Sequence, residues 1–224
     1  MSVDPNYLKQ SLKDVAVEYL KSKILTGEYK AGDRINEVKV AEELNISRAP
    51  IREGIKELES HGLVKQIPRK GSYVVELTIE DIKEIYSIRL SLENSLIDKI
   101  IEEEKLLEED FKYLEKIVDE MIEIAESELD YTDKMFKING KDLSFHRYIW
   151  KKANSPRRVK ILFDLYIQLQ FAMLFDTELT GDLKNTAETH YDIISYLKTG
   201  NADKCKKALK GHIEGYNLPL SEKF

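Results

Sequence analysis

The first seventy-six residues alternate between helical and strand-like patterning. Leu12, Val15, Val17, Tyr19, Leu20, Ile24 and Leu25 recur at helical spacing, and Gly27 ends that helix. Asn36 is placed to cap a second, short helix with Val38, Ala41 and Leu44 facing inward. Asn45-Ile46 makes a tight turn, and Ser47 caps a third helix running through Ile51, Ile55 and Leu58. Pro50 falls in the first turn of that helix, where its missing N–H is harmless. Gly62 ends the third helix, with His61 beside it as a helix-end residue. Leu63–Gln66 and Tyr73–Glu76 then read as two strands joined across Pro68-Arg69-Lys70-Gly71. Two short helices joined by a tight turn and followed by such a hairpin outline a winged helix-turn-helix.

From Thr78 onward the period is helical throughout. Thr78-Ile-Glu-Asp81 has the form of a capping box, and Ile82, Ile85, Tyr86, Ile88 and Leu92 continue from it. Later apolar sets lie at 114–124, 145–149, 161–175 and 191–197. The acid-rich stretch Glu102–Asp110 fits an exposed face or a turn between helices. Asn154, in Lys-Lys-Ala-Asn-Ser-Pro, is placed to cap the helix after it. The stripe Leu162, Leu165, Leu169 and Met173 reads as core or dimer surface. The expected fold is mainly α: a winged domain over 1–76, with three helices and a two-stranded wing, then an all-α bundle of six or seven helices over 77–224.

Composition narrows the class. At 42% apolar and 34% charged, the 224 residues suit a globular protein, and 15 Gly plus Pro are few for an all-β chain. The longest apolar stretch, Ile161 to Phe175, is broken by Asp164, Gln168 and Gln170, so it does not suit a bilayer, and no secretory signal is visible. One cysteine, Cys205, excludes an internal disulfide and fits a reducing, cytoplasmic setting. The net charge of −6 hides an asymmetry: residues 1–76 hold 13 Lys/Arg against 12 Asp/Glu, and the remainder 22 against 29. Arg48 to Lys70 alone carries six basic residues and three acids. Such a focused patch attracts phosphate while the rest of the chain repels it; the plainer alternative is a solvated helix face.

The segment AEELNISRAPIREGIKELESHGLVKQIPRKGSYV resembles the DNA-binding domain of the GntR family of bacterial transcriptional regulators. The Ser-Arg-x-Pro-x-Arg-Glu pattern, the Leu-Glu-x-x-Gly-Leu that follows and the Gly-containing wing carry the likeness. It implies contact with a double-stranded DNA operator by Ser47, Arg48, Arg52, Arg69, Lys70 and Gly71. The residues agree independently: Arg48 and Arg52, four apart, project from one face at the start of the third helix, the end that reaches base edges. The alternative for Arg52 is an ion pair with a surface acid. Relatives often carry an Arg near Val38, so its absence here implies an altered operator sequence.

Three of the four histidines lie in the second half. Asp142 and His146, at i and i+4, share a helix face. His190 and His212 each lie 11 residues from Asn201, so two antiparallel helices leaving a turn at Thr199-Gly200-Asn201 would hold both imidazoles at one height. The four side chains suit one divalent ion, Zn, Ni, Mn or Fe; the alternative is three unrelated histidines. This half is similar to the FCD ligand-binding domain of the FadR subfamily, carried by Ile-Arg-Leu-Ser-Leu-Glu, Asp-Leu-Ser-Phe-His and the run from Glu188 to His212. The resemblance implies a metal on Asp142, His146, His190 and His212, and Arg89 pointing into the pocket toward an effector carboxylate. The alternative for Arg89 is a salt bridge to Glu93, one turn on.

Together these features imply a metal-containing, effector-responsive transcriptional regulator rather than an enzyme: a homodimer, and a repressor released by a small organic acid. Two other readings are a metal-dependent hydrolase or isomerase with an appended DNA-binding domain, and a pure metal sensor.

Overall fold

A computed structural model of the chain describes residues 11–165, 168, 170 and 182–214. The chain divides into two compact units, Met1–Leu77 and Thr78–Phe224.

In the first unit, α1 (Leu12–Leu25) opens with a reciprocal capping box between Ser11 and Asp14 and buries Ala16, Val17, Leu20, Ile24 and Leu25. A two-residue strand, β1 (Arg34–Ile35), leads into α2 (Glu37–Leu44). Asn36 caps α2, its Oδ1 accepting the N–H groups of Val38 and Lys39. Asn45 ends α2 in the left-handed region at φ 51°, and Ile46 N–H returns to the Ala41 carbonyl. The next helix, α3 (Arg48–Ser60), packs on α1 through Ile51, Gly54, Ile55 and Leu58. Ser47 stands at its N-cap position, but its hydroxyl makes no capping hydrogen bond, contrary to the capping role expected from sequence.

The wing holds three strands rather than two. β2 (Val64–Ile67) and β3 (Gly71–Val74) pair antiparallel, and β1 adds to the other edge of β3, giving the order β1-β3-β2. Arg69, at φ 64°, turns the chain at the wing tip.

The second unit holds α4 (Ile79–Glu102), α5 (Glu108–Glu126), α6 (Tyr131–Lys152), α7 (Pro156–Asp164), α8 (Leu183–Lys198) and α9 (Ala202–Glu214). Leu165 follows α7, half-buried, whereas Leu169 and Met173 lie outside the described residues. The Thr78–Asp81 capping box opens α4. α5 packs against α6 and α8, and α9 closes against α8 and α4. Leu96, Leu114, Met121, Ile138, Phe145 and Trp150 fill the interior.

Two local expectations change. Asn154 does not cap α7. It follows α6 in the left-handed conformation at φ 48°, which Asn tolerates better than most residues, and its carbonyl accepts from Lys99. Asp110 is buried rather than exposed, accepting from Leu107 N–H, Tyr148 Oη and Lys152 Nζ.

Gly54 sets the approach of α1 to α3. A Cβ there would meet Ala16 Cβ at 3.2 Å and Val17 N at 3.3 Å. Gly54→Val is therefore expected to destabilise the winged unit by overpacking, by about 1–3 kcal/mol. Limited proteolysis followed by mass spectrometry should find new cleavages within residues 12–74; an unchanged digestion pattern contradicts the packing argument.

Candidate metal centre and nucleic-acid interface

The bundle buries six ionisable side chains together. Arg89 and Glu93 come from α4, Asp142 and His146 from α6, His190 from α8 and His212 from α9, none more than 4% exposed. The i,i+4 spacing puts each α4 and α6 pair on one helix face. The turn at 199–201 lets α8 and α9 run back together, placing the His190 and His212 ring centroids 4.2 Å apart.

Each imidazole has its outer nitrogen engaged. His146 Nδ1 lies 2.8 Å from Glu93 Oε2, His212 Nδ1 2.8 Å from Thr189 Oγ1, and His190 Nδ1 3.0 Å from the Ala187 carbonyl. The three Nε2 atoms therefore face inward. His190 Nε2 is 2.9 Å from Asp142 Oδ1, His212 Nε2 3.2 Å and His146 Nε2 3.9 Å. His190 Nε2 and both Asp142 oxygens nevertheless lack an aligned hydrogen-bond partner among the described residues. Buried polar atoms left unsatisfied at such separations point to something between them. The four donor atoms lie within 4.8 Å of one another. Donors sharing an ion at about 2.1 Å stand roughly 3.0–3.4 Å apart; the separations of His190 and His212 from Asp142 are of that order, and the four residues could hold a first-row divalent metal. Outer-nitrogen partners of this kind orient histidine ligands.

Arg89 Nε donates to Glu93 Oε1 at 2.6 Å, so the ion pair weighed at the sequence level is present. Its Nη2, also buried, has no hydrogen-bond partner among the described residues and lies 3.9 Å from Asp142 Oδ2. Burial alone would raise the Glu93 carboxyl, but His146 and Arg89 outweigh it and hold it at about 2. Burial likewise opposes ionisation of Asp142, and the surrounding imidazoles carry it well below the usual carboxylate range. Burial, reinforced by His190, presses His212 down to about 3; burial also lowers His146, partly offset by Glu93.

In the first unit, Ser47, Arg48 and Arg52 are exposed at the start of α3, and Arg69, Lys70 and Gly71 are exposed at the wing tip. Val38, expected from the spacing to face inward, is instead exposed, and Val40 takes the buried place beside Ala41. Glu37, in the first turn of α2, accepts from Arg52 Nε at 2.7 Å and Arg48 Nη2 at 3.3 Å on one oxygen. Neither Glu37 nor the Glu93–His146 contact was singled out from sequence. Both join residues distant in the chain, and no local spacing marks them.

A winged helix-turn-helix unit in a chain that also holds a separate helical unit belongs to the class of DNA-binding transcriptional regulators. Residues 12–74 match the bacterial regulatory proteins of the gntR family, and residues 84–215 match the FCD domain. The HTH-type transcriptional regulator YdhC of Bacillus subtilis (strain 168) is 31% identical over 197 residues, covering 86% of this chain and 84% of that one. The gluconate operon transcriptional repressor of the same organism is 28% identical over 202 residues, covering 86% and 79%. The chain belongs to the GntR family, in its FadR-like FCD subfamily. The solved structure of E. coli McbR/YncC shares the fold, with a TM-score of 0.74 at 21% identity over 92% of this chain and 95% of that one. These relatives are transcriptional regulators, not enzymes, which sets aside the hydrolase or isomerase reading. No helix among the described residues is long and apolar enough to cross a membrane.

The depressed histidines give the metal-free bundle a signed pH dependence. Between pH 6.5 and about 3 the unfolded chain binds a proton at His212 that the folded chain refuses, so stability falls as pH drops through that window. The depressed Asp142 and Glu93 act in the same direction below the ordinary carboxylate range. The expected loss from His212 is on the order of 1 kcal/mol per pH unit. Urea unfolding of chelator-treated protein, followed by the fluorescence of Trp150, should show a falling midpoint from pH 7 to 4.5. A flat midpoint contradicts buried neutral histidines.

Proposed function

We propose that this chain is a metal-containing, effector-responsive regulator that binds operator DNA through residues 1–76 and senses a small carboxylate through residues 77–224. The observation that carries the sensor half is the convergence of three imidazole Nε2 atoms on an unsatisfied, buried Asp142 carboxylate. Asp142, His146, His190 and His212 would hold one divalent ion, Zn, Ni, Mn or Fe. That ion would supply an electrophilic anchor for a ligand carboxylate. Arg89 holds Glu93 with Nε and keeps Nη2 for the same ligand. Glu93 and Thr189 fix the orientation of His146 and His212 by occupying their outer nitrogens.

On the DNA side, Arg48 and Arg52 would enter the major groove from the start of α3, with Ser47 and its neighbouring N–H groups on a phosphate. Arg69, Lys70 and Gly71 of the wing would follow the adjacent backbone. Until DNA arrives, Glu37 holds both arginines. An exposed pair of this type is worth under about 1 kcal/mol, so operator phosphates and guanines displace it readily. A palindromic operator needs two such helices about 34 Å apart, which a homodimer in the cytoplasm would supply. Relatives named as operon repressors favour repression relieved by effector.

Arg52→Ala is expected to weaken operator binding by roughly 1–3 kcal/mol without changing thermal stability. The measurement is a gel-shift titration at fixed salt, on a duplex selected from a random pool by the wild-type protein; equal affinity sinks the assignment. His190→Ala is expected to lose most bound metal while effector-free operator binding persists. Full metal content in that purified variant would refute the shared four-residue site. Operator release by metal alone would favour a pure metal sensor.

A further inference from the structure

We propose that the ligand seated in this buried centre carries a single negative charge, which makes it a monocarboxylate rather than a di- or tricarboxylate. The inference deepens the sensor reading above and rests on it.

The argument is a charge balance in a site that water does not screen. Arg89 is the one buried cation among the described residues of either unit, and its charge is committed to Glu93 at 2.6 Å. Asp142 has the same guanidinium at the longer distance of 3.9 Å, and imidazoles that must be neutral to act as ligands. One positive group against two negative ones leaves the metal-free centre at −1, which repels any carboxylate. A divalent ion inverts the sign to +1, and the ion's own charge dominates such a site. One ligand carboxylate brings the total to zero. A second would be an unpaired buried charge, which proteins tolerate poorly.

The geometry agrees with a single anchoring group. Arg89 Nη2 is a buried donor without a hydrogen-bond partner, and it lies beside Asp142 rather than facing solvent. It offers one side of a carboxylate a hydrogen bond, and no other buried Lys or Arg among the described residues offers a second.

The test uses the full chain, loaded with Mn²⁺, Ni²⁺ or Zn²⁺, whichever is retained through gel filtration. Propionate, succinate and tricarballylate are titrated by calorimetry at pH 7.5, with metal content measured before and after. Propionate should bind only the loaded protein, at least tenfold more tightly than succinate, with tricarballylate weaker still. Glu93→Gln removes one negative charge and raises the loaded centre to +2, so succinate should overtake propionate. Tighter binding of succinate or tricarballylate to the loaded wild-type protein, with metal retained, overturns the proposal whatever the variant does. An unchanged order in metal-loaded Glu93→Gln overturns it as well. Failure of all three acids to bind, or equal binding with and without metal, overturns the sensor reading itself and the proposal with it.

Discussion

The second unit depends on keeping charged groups at its centre mutually satisfied. Six ionisable side chains from four helices meet where an ordinary bundle would place leucines. An isolated charge there would cost several kcal/mol, so the groups must be mutually compensating for the helices to close. Arg89 and Glu93 neutralise each other within α4, and Glu93 reaches across to His146 of α6. Asp142 has only the longer contact with Arg89 Nη2, at 3.9 Å, and three imidazole edges. On the proposed reading a divalent ion would complete this balance, and assembly of the bundle would then be coupled to its binding.

Both units use an acid to hold functional groups in place, with opposite energetic weight. Glu37 restrains Arg48 and Arg52 at the surface, where water competes and exchange is easy. Glu93 restrains Arg89 and His146 in the interior, where losing a partner strands a charge. On the proposed reading, the surface acid would suit groups that leave it to meet DNA, and the buried acid groups that stay fixed around an ion.

Much of this was legible in the sequence because helices print their spacing locally. The stop of α1 at Gly27, the α2 and α4 caps, the Asp142–His146 pair and the equal distances of His190 and His212 from Asn201 follow from 3.6-residue periodicity and local turn chemistry, whereas the Ser11–Asp14 cap of α1 was not read. What escaped notice lacks that signature. β1 is two residues long, too short to show alternation, and exists only because β3 offers it an edge. Glu93 looks like one more acid on an amphipathic helix until α6, some fifty residues later, brings His146 to it. Asn154 was assigned forward to α7, whereas its tolerance of positive φ serves the end of α6. Asp110 sits in a run of acids that reads as solvated, and only Lys152 and Tyr148 of α6 show why it is buried.

The chain's connectivity adds a last constraint on how a signal could leave the centre. α4 carries Arg89 and Glu93, and it starts at Ile79, with only four residues between it and the end of β3 at Val74. Those four are themselves tied: Val75 N–H bonds to Leu63 O, and Thr78 is locked in the capping box. A capped helix transmits a rigid displacement better than a flexible linker does. On the proposed reading, a ligand held by Arg89 Nη2 would act on α4, the helix that carries both Arg89 and Glu93. Coupling requires that the ligand prefer one arrangement of α4 over another. Arg89 allows such a preference, because the guanidinium that would hold the ligand is the one that pairs with Glu93 and, through it, with His146.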